Sequence, residues 1–209
     1  MSRPTARRIA LLEPLTVFTL IMAYIWELRY SYRGAWLVIL AGVIASHVAR
    51  HEDAEKLGFH WRNLRECLRE FAPAMAFLGL SMVAAGLLLR TTRPLTVHEA
   101  MYSWMGYLPW GTFQQYLLNG YFLNRLTGAM PARAASAASA VLFSGAHLPN
   151  WFLMIVTLVT GYVCARIYLR YKNLYFLGIA HATVGFLLLQ VVPDSVTHHL
   201  TVGPGWFAH

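Results

Sequence analysis

Residues 174–192 read LYFLGIAHATVGFLLLQVV, an uncharged run in which His181 stands among apolar side chains. A helix needs about 20 mostly apolar residues to cross a bilayer core. This run meets that length and carries nothing that would hold it in water. Working outward, similar blocks precede it. Trp151 to Tyr168 reads as a sixth span, and Arg133 to His147, which opens AASAASA after the arginine, as a fifth. Trp104 to Leu126 forms a fourth, Phe71 to Leu89 a third, Ala35 to Ala49 a short second and Leu11 to Leu28 a first. The chain has 209 residues, 57% hydrophobic and 12% charged, whereas soluble domains carry roughly 25% charged residues. The reading is all-α: a polytopic membrane helix bundle of about seven transmembrane helices. Residues 1–99 hold the N-terminal spans with an amphipathic surface segment, and residues 100–209 form the core.

The net charge of +8 elsewhere points to nucleic acid. Here the basic residues lie between the apolar blocks, as in proteins that fix their orientation in a membrane. That pattern excludes a nucleic-acid partner and makes the lipid bilayer the expected one. With the N-terminus in the cytoplasm, 13 of the 17 Lys and Arg residues fall on the inner side. The outer side keeps Arg29, Arg33, Arg90 and Arg93. The expected location is a bacterial inner membrane. The first apolar run is too long for a signal-peptide core and lacks a small-residue cleavage site, so it reads as a retained span with Glu13 and Glu27 at its ends. The segment Arg50 to Glu70, which holds HEDAEKLGFHWRNLRECLRE, alternates charges with apolar residues and predicts a surface helix on the headgroups. Arg125 and Arg133 are expected to meet anionic headgroups, and Trp36, Trp104, Trp110, Trp151 and Trp206 to anchor at the interface. Cys67 and Cys164 fit no metal or redox spacing; Cys164 reads as a packing residue.

Polar groups in hydrocarbon are costly unless partnered, and three places carry them. In the fourth span, Gln114 and Gln115 precede Asn119; Gln115 and Asn119, four apart, share one helix face. At the end of the fifth, Phe143-Ser-Gly-Ala-His147 runs into Pro149 and Asn150, and Pro149 marks a helix break. In the seventh, His181 lies near mid-membrane, followed by Gly185. Amides and imidazoles on three spans point to one shared buried site.

These residues resemble the CPBP family, the CAAX-protease and bacteriocin-processing (Abi) membrane proteins. The family pattern runs Glu-Glu-x-x-x-Arg, then Phe-x-x-x-His, then His-x-x-x-Asn. Phe143 to His147 fits the second motif, continuing through Asn150, and His181 opens the third. Gln114-Gln115 stands where the glutamate pair belongs, Asn119 where the arginine belongs, and Gly185 where the asparagine belongs. The resemblance covers roughly residues 100 to 192. It implies an intramembrane endopeptidase in which a glutamate activates water and the histidines assist. It makes Gln114, Gln115, His147 and His181 the catalytic candidates and Asn119, Phe143, Asn150 and Gly185 the substrate-binding ones. A carboxamide cannot take a proton from water as a carboxylate can, though it can orient a group. Glu99, the nearest acid in sequence, lies about 22 Å from Gln114 along a continuous helix.

Two readings follow. One is a family member without glutamate-dependent proteolysis that binds a hydrophobic peptide, a lipid or a partner transmembrane helix, as an accessory subunit of a larger membrane complex. The other is an endopeptidase processing a prenylated or hydrophobic peptide, with His147 or His181 as base and a glutamine holding the oxyanion. No cofactor is expected, and no metal: two histidines without an acid or thiol make a thin ligand set.

Overall fold

The computed structural model describes residues 3–208, and every regular element among them is helical. The first helix begins as α1 (Arg3–Ala23), widens into a π-helical stretch at Tyr24–Leu28, and ends in a single turn, α2 (Arg29–Ser31). It starts well ahead of the expected Leu11, so Glu13 lies inside it and not at its end. Next come α3 (Ala35–Ala49), α4 (Leu64–Leu89) and α5 (Val97–Gln115). The last of these continues through a second π-helical stretch, Tyr116–Leu123, into α6 (Asn124–Thr127). Then follow α7 (Ala132–Gly145), α8 (Trp151–Tyr171), α9 (Leu174–Val191) and the short α10 (Asp194–Thr197).

Among the described residues four helices are long and apolar enough to cross a membrane: Pro4–Ser31, Leu64–Leu88, Trp151–Tyr171 and Leu174–Val191. The other three expected spans fall short of that standard for two reasons. α3 is apolar but has 15 residues, and α7 has 14, each under the ~20 of a full crossing. The run from α5 to α6 is long, but Gln114, Gln115, Asn119 and Asn124 dilute its apolar character.

The expected surface helix over Arg50 to Glu70 is not formed. Residues 50–63 are turns, and Leu64 to Glu70 open α4. Gly58 adopts φ 101°, a conformation glycine reaches without penalty. A Cβ there would press on the backbone of Lys172. The segment spends its polar groups on the turn between α8 and α9. The Leu174 amide donates to Gly58 O (2.8 Å), Asn173 Nδ2 donates to His60 O (3.1 Å) and Asn63 Oδ1 (2.7 Å), and Tyr168 Oη donates to Leu57 O (2.9 Å). Its apolar residues Leu57 and Cys67 are buried against protein.

Small residues set the helix spacing, as they do in lipid, where close backbone approach replaces the hydrophobic drive. α5 lies along α9 with Gly111 against His181 and Ala182, Gly178 against Thr112, and Gly185 against Tyr107. Trp104 Nε1 donates to Thr183 Oγ1 (3.1 Å) across the same pair. α7 meets α8 where Ala140 faces Gly161, and Ser139 Oγ donates to Leu118 O (2.8 Å) in the π-helical stretch.

Arg125 does not face headgroups. It is buried, and its guanidinium donates to Glu13 (3.0 Å), to both Glu52 oxygens (3.1 and 2.7 Å) and to Ser46 Oγ (2.9 Å), with His47 Nδ1 3.0 Å away. Tyr121 Oη adds a donor to Glu13 (3.1 Å), and Arg50 also pairs with Glu13. The cluster ties α1, α3, the 50–63 loop and α6 together. Burial alone would raise the Glu52 carboxyl; hydrogen bonds from Arg125 and His47 outweigh it and hold the group below the usual carboxylate range.

Candidate active site

Where α5 hands over to the π-helical stretch, Gln115 is almost fully buried and Asn119 completely so. Such widened turns recur at functional sites, and this one leaves the two amides on the same side. Asn119 Nδ2 donates to Gln115 Oε1 (2.8 Å), and Gln115 Nε2 lies 3.0 Å from His181 Nδ1. An amide nitrogen only donates, so Nδ1 accepts and the proton of the neutral imidazole sits on Nε2. Asn119 Oδ1 is left buried without a partner.

His147 is held the other way round. Its Nδ1 lies 2.7 Å from the Phe143 carbonyl, one helical turn back. A carbonyl only accepts, so Nδ1 carries the proton and Nε2 offers a lone pair. Phe143 stands between the two imidazoles, edge-on to each, with ring centroids 4.9 Å from His147 and 6.2 Å from His181. One histidine thus presents an acceptor and the other a donor.

Both histidines, Gln114, Gln115, Phe143 and Gly185 line one cavity of about 600 Å³, within the roughly 300–1,000 Å³ of small-molecule sites. Gln114 has no hydrogen-bond partner among the described residues. The remaining lining is overwhelmingly apolar and includes no Asp or Glu among the described residues. Leu78 of α4 and Val159 and Val163 of α8 line the cavity while also being exposed on the bundle surface, so the space opens sideways between these helices.

Not every candidate reaches the cavity. Asn119 supports Gln115 from behind. Asn150 is buried elsewhere: its Oδ1 caps α8 by accepting from the Leu153 amide (3.1 Å), and its Nδ2 donates to Thr197 O (2.9 Å) and Thr201 O (3.1 Å), which pins the C-terminal tail. Glu99 is used at the start of α5, in a capping box with Thr96, and the helix runs unbroken from there to Gln115. Cys164, expected only to pack, lines the cavity with its thiol against the Gln115 amide. Its neighbours in sequence are ordinary span residues, so nothing local marked it. Among the described residues no group of three or more His, Cys, Asp or Glu side chains could hold a metal ion.

Residues 99–187 match the family model described as type II CAAX prenyl endopeptidase Rce1-like. That stretch is an Rce1-like domain. It agrees with the CPBP resemblance of the sequence and contains Gln114, Gln115, Asn119, Phe143, His147, His181 and Gly185. No curated protein and no solved structure matches the chain. The matched residues run from the third residue of α5 through the π-helical stretch and α6 to α8 and into α9. The helix that closes the other side of the cavity, with Phe18, Ile21 and Arg29, lies before it.

Proposed function

We propose that this Rce1-like protein lacks glutamate-dependent proteolysis and acts as a binding or accessory subunit in the membrane. Its cavity would hold a hydrophobic peptide, a lipid or a partner transmembrane helix. The observation that carries the reading is Gln115, an amide wedged between Asn119 and His181 where the family pattern has an acid. A carboxamide has no basic lone pair for a water proton, and no carboxylate among the described lining residues stands in for it. The purified protein is expected to leave a prenylated or hydrophobic peptide uncut while retaining it on copurification in mild detergent. Turnover that disappears in Gln115→Ala and His147→Ala would overturn the reading.

A second reading, intramembrane peptide hydrolysis without a carboxylate, is favoured by the opposite tautomers of the histidines. His147 Nε2 would take the proton from water, and the His181 Nε2–H would face the developing oxyanion. Loss of turnover in both His147→Ala and His181→Ala, with substrate still bound, is what this reading requires.

In either case the chain would sit in a bacterial inner membrane with seven helical segments crossing it and the N-terminus in the cytoplasm. The support is the segregation of charge along the sequence: with seven crossings, 13 of the 17 Lys and Arg residues fall on the side of the N-terminus.

A further inference from the structure

The cavity holds one permanently charged side chain, Arg29, at the end where α1 gives way to α2. Its Nη2 donates to Tyr30 Oη (2.6 Å) and Val202 O (3.3 Å). Its Nε is buried and has no hydrogen-bond partner. No carboxylate among the described residues pairs with it. A buried donor on a cation is costly to leave unmade, and a cation lining an apolar space is held most favourably by an anion. Below Arg29 the lining turns apolar, through Ile25, Phe18 and Leu117, until the amide of Gln115 and the imidazole of His181. The sideways opening between α4 and α8 communicates with the same space. Those two helices are pinned at the far end by Glu70 with Arg170 and Tyr171, and by Phe71 against Tyr171.

We infer that the cavity takes an anionic amphiphile, its head paired with Arg29 and its hydrocarbon chain lying toward Gln115 and His181. Resting on the cavity as the binding site, this names the chemistry of the occupant. The head is a carboxylate or a phosphate ester, either of which matches the guanidinium fork. The chain arrives from the bilayer through the opening beside Leu78, Val159 and Val163. Arg29 precedes the Rce1-like domain, so the head-group site belongs to the N-terminal helix.

Trp110 lines the cavity and serves as the reporter. The full chain in uncharged detergent is titrated with a long-chain fatty acid brominated in mid-chain, its methyl ester and the matching alkyl phosphate. Quenching of Trp110 emission is read as the difference from Trp110→Phe. The acid, the phosphate or both should quench saturably, which also separates a fatty-acid source from a phospholipid-type one. Arg29→Gln should weaken the anion by roughly ten- to a hundredfold, Arg29→Lys should recover most of that, and the ester should bind weakly and alike in all three. Because Arg29 also holds the tail at Val202, a purely structural role would weaken acid and ester together. That result overturns the inference, as does an ester that binds as tightly as the acid. Acid or phosphate quenching that is unchanged in Arg29→Gln sinks the anion site but leaves the binding cavity standing. No Trp110 quenching by any probe removes the cavity reading as well.

Discussion

Gln115 decides the chemistry of its neighbours by being an amide. With a carboxylate at this position His181 Nδ1 would donate; with the carboxamide it accepts, and the proton moves to Nε2. Nitrogen-15 spectra of histidine-labelled protein should therefore show His181 as the Nε2–H form, and Gln115→Glu should convert it to the Nδ1–H form. Gln115→Ala removes two partners at once and should cost about 0.6–1.7 kcal/mol, the range of interhelical hydrogen bonds in membranes. Asn119→Ala should cost less, because its Oδ1 already lacks a partner. Unfolding in detergent measures both. Arg125 is the other residue whose identity matters. Arg125→Ala takes the shared cation from Glu13 and Glu52 and should destabilise by on the order of 2–3 kcal/mol, below the roughly 3–5 of a fully buried pair, since Glu13 keeps Arg50, Glu52 keeps His47, and the two carboxylates keep 20% and 24% exposure. The pH dependence follows from Glu52. Its folded-state pKa lies below the unfolded value of about 4.3. Its contribution is therefore complete above that value and is lost as pH falls through the folded one. Glu52→Gln should flatten the acid limb of the stability profile.

Among the elements, α5 against α9 is the pair on which the site hangs, since one carries Gln115 and the other His181. Gly178 is the tightest point: a Cβ there would overlap the Thr112 side chain and crowd its Cα. Gly178→Ala should cost about 1–3 kcal/mol, as overpacking does. Gly106→Ala, on α5 with open space around it, should be neutral or gain up to about 1 kcal/mol from helix propensity. Comparing thermal midpoints of the two variants tests whether close approach, and not glycine as such, is what the helix pair needs. The sequence made α4, α8 and α9 plain because each is a long apolar run, and Gln115, His147 and His181, singled out by the order of the amide and histidine motifs, line one cavity. It misread residues 51–70. The apolar spacing there is real, but Leu57 and Cys67 serve a tertiary contact with the α8–α9 turn instead of a lipid surface. The π-helical stretch leaves no local signature, because it differs from an α-helix only in which carbonyl each amide reaches. Arg125 was read as a headgroup contact because its acid partners stand 73 and 112 residues away in sequence.

At the scale of the molecule, the two limits on span count make opposite topologies. If only the four long apolar helices crossed, α3 would return to the side it left, the 50–63 loop would lie across the membrane from the N-terminal end, and the tail would rejoin that end. The side-chain contacts argue otherwise. Arg7 Nε donates to Ala129 O (3.0 Å) and Glu13 meets Glu52 through Arg125, which puts the start of α1, the 50–63 loop and the α6–α7 turn at one end of the bundle. The tail lies at the opposite end, where Gly203 N donates to Leu148 O (2.7 Å) and Arg29 reaches Val202. Helices as short as α3 and α7 can serve as crossings where the bilayer thins or where they are sheathed by neighbours, and the amides of the α5–α6 run are acceptable because they face protein. With Cys67 and Cys164 replaced, single cysteines at Arg8, Lys56 and Phe207 report the outcome through a membrane-impermeant thiol reagent on intact cells. Seven crossings predict that Phe207→Cys labels from outside while Arg8→Cys and Lys56→Cys label only after lysis. Four crossings would reverse the last two positions, with Lys56→Cys labelled from outside and Phe207→Cys protected.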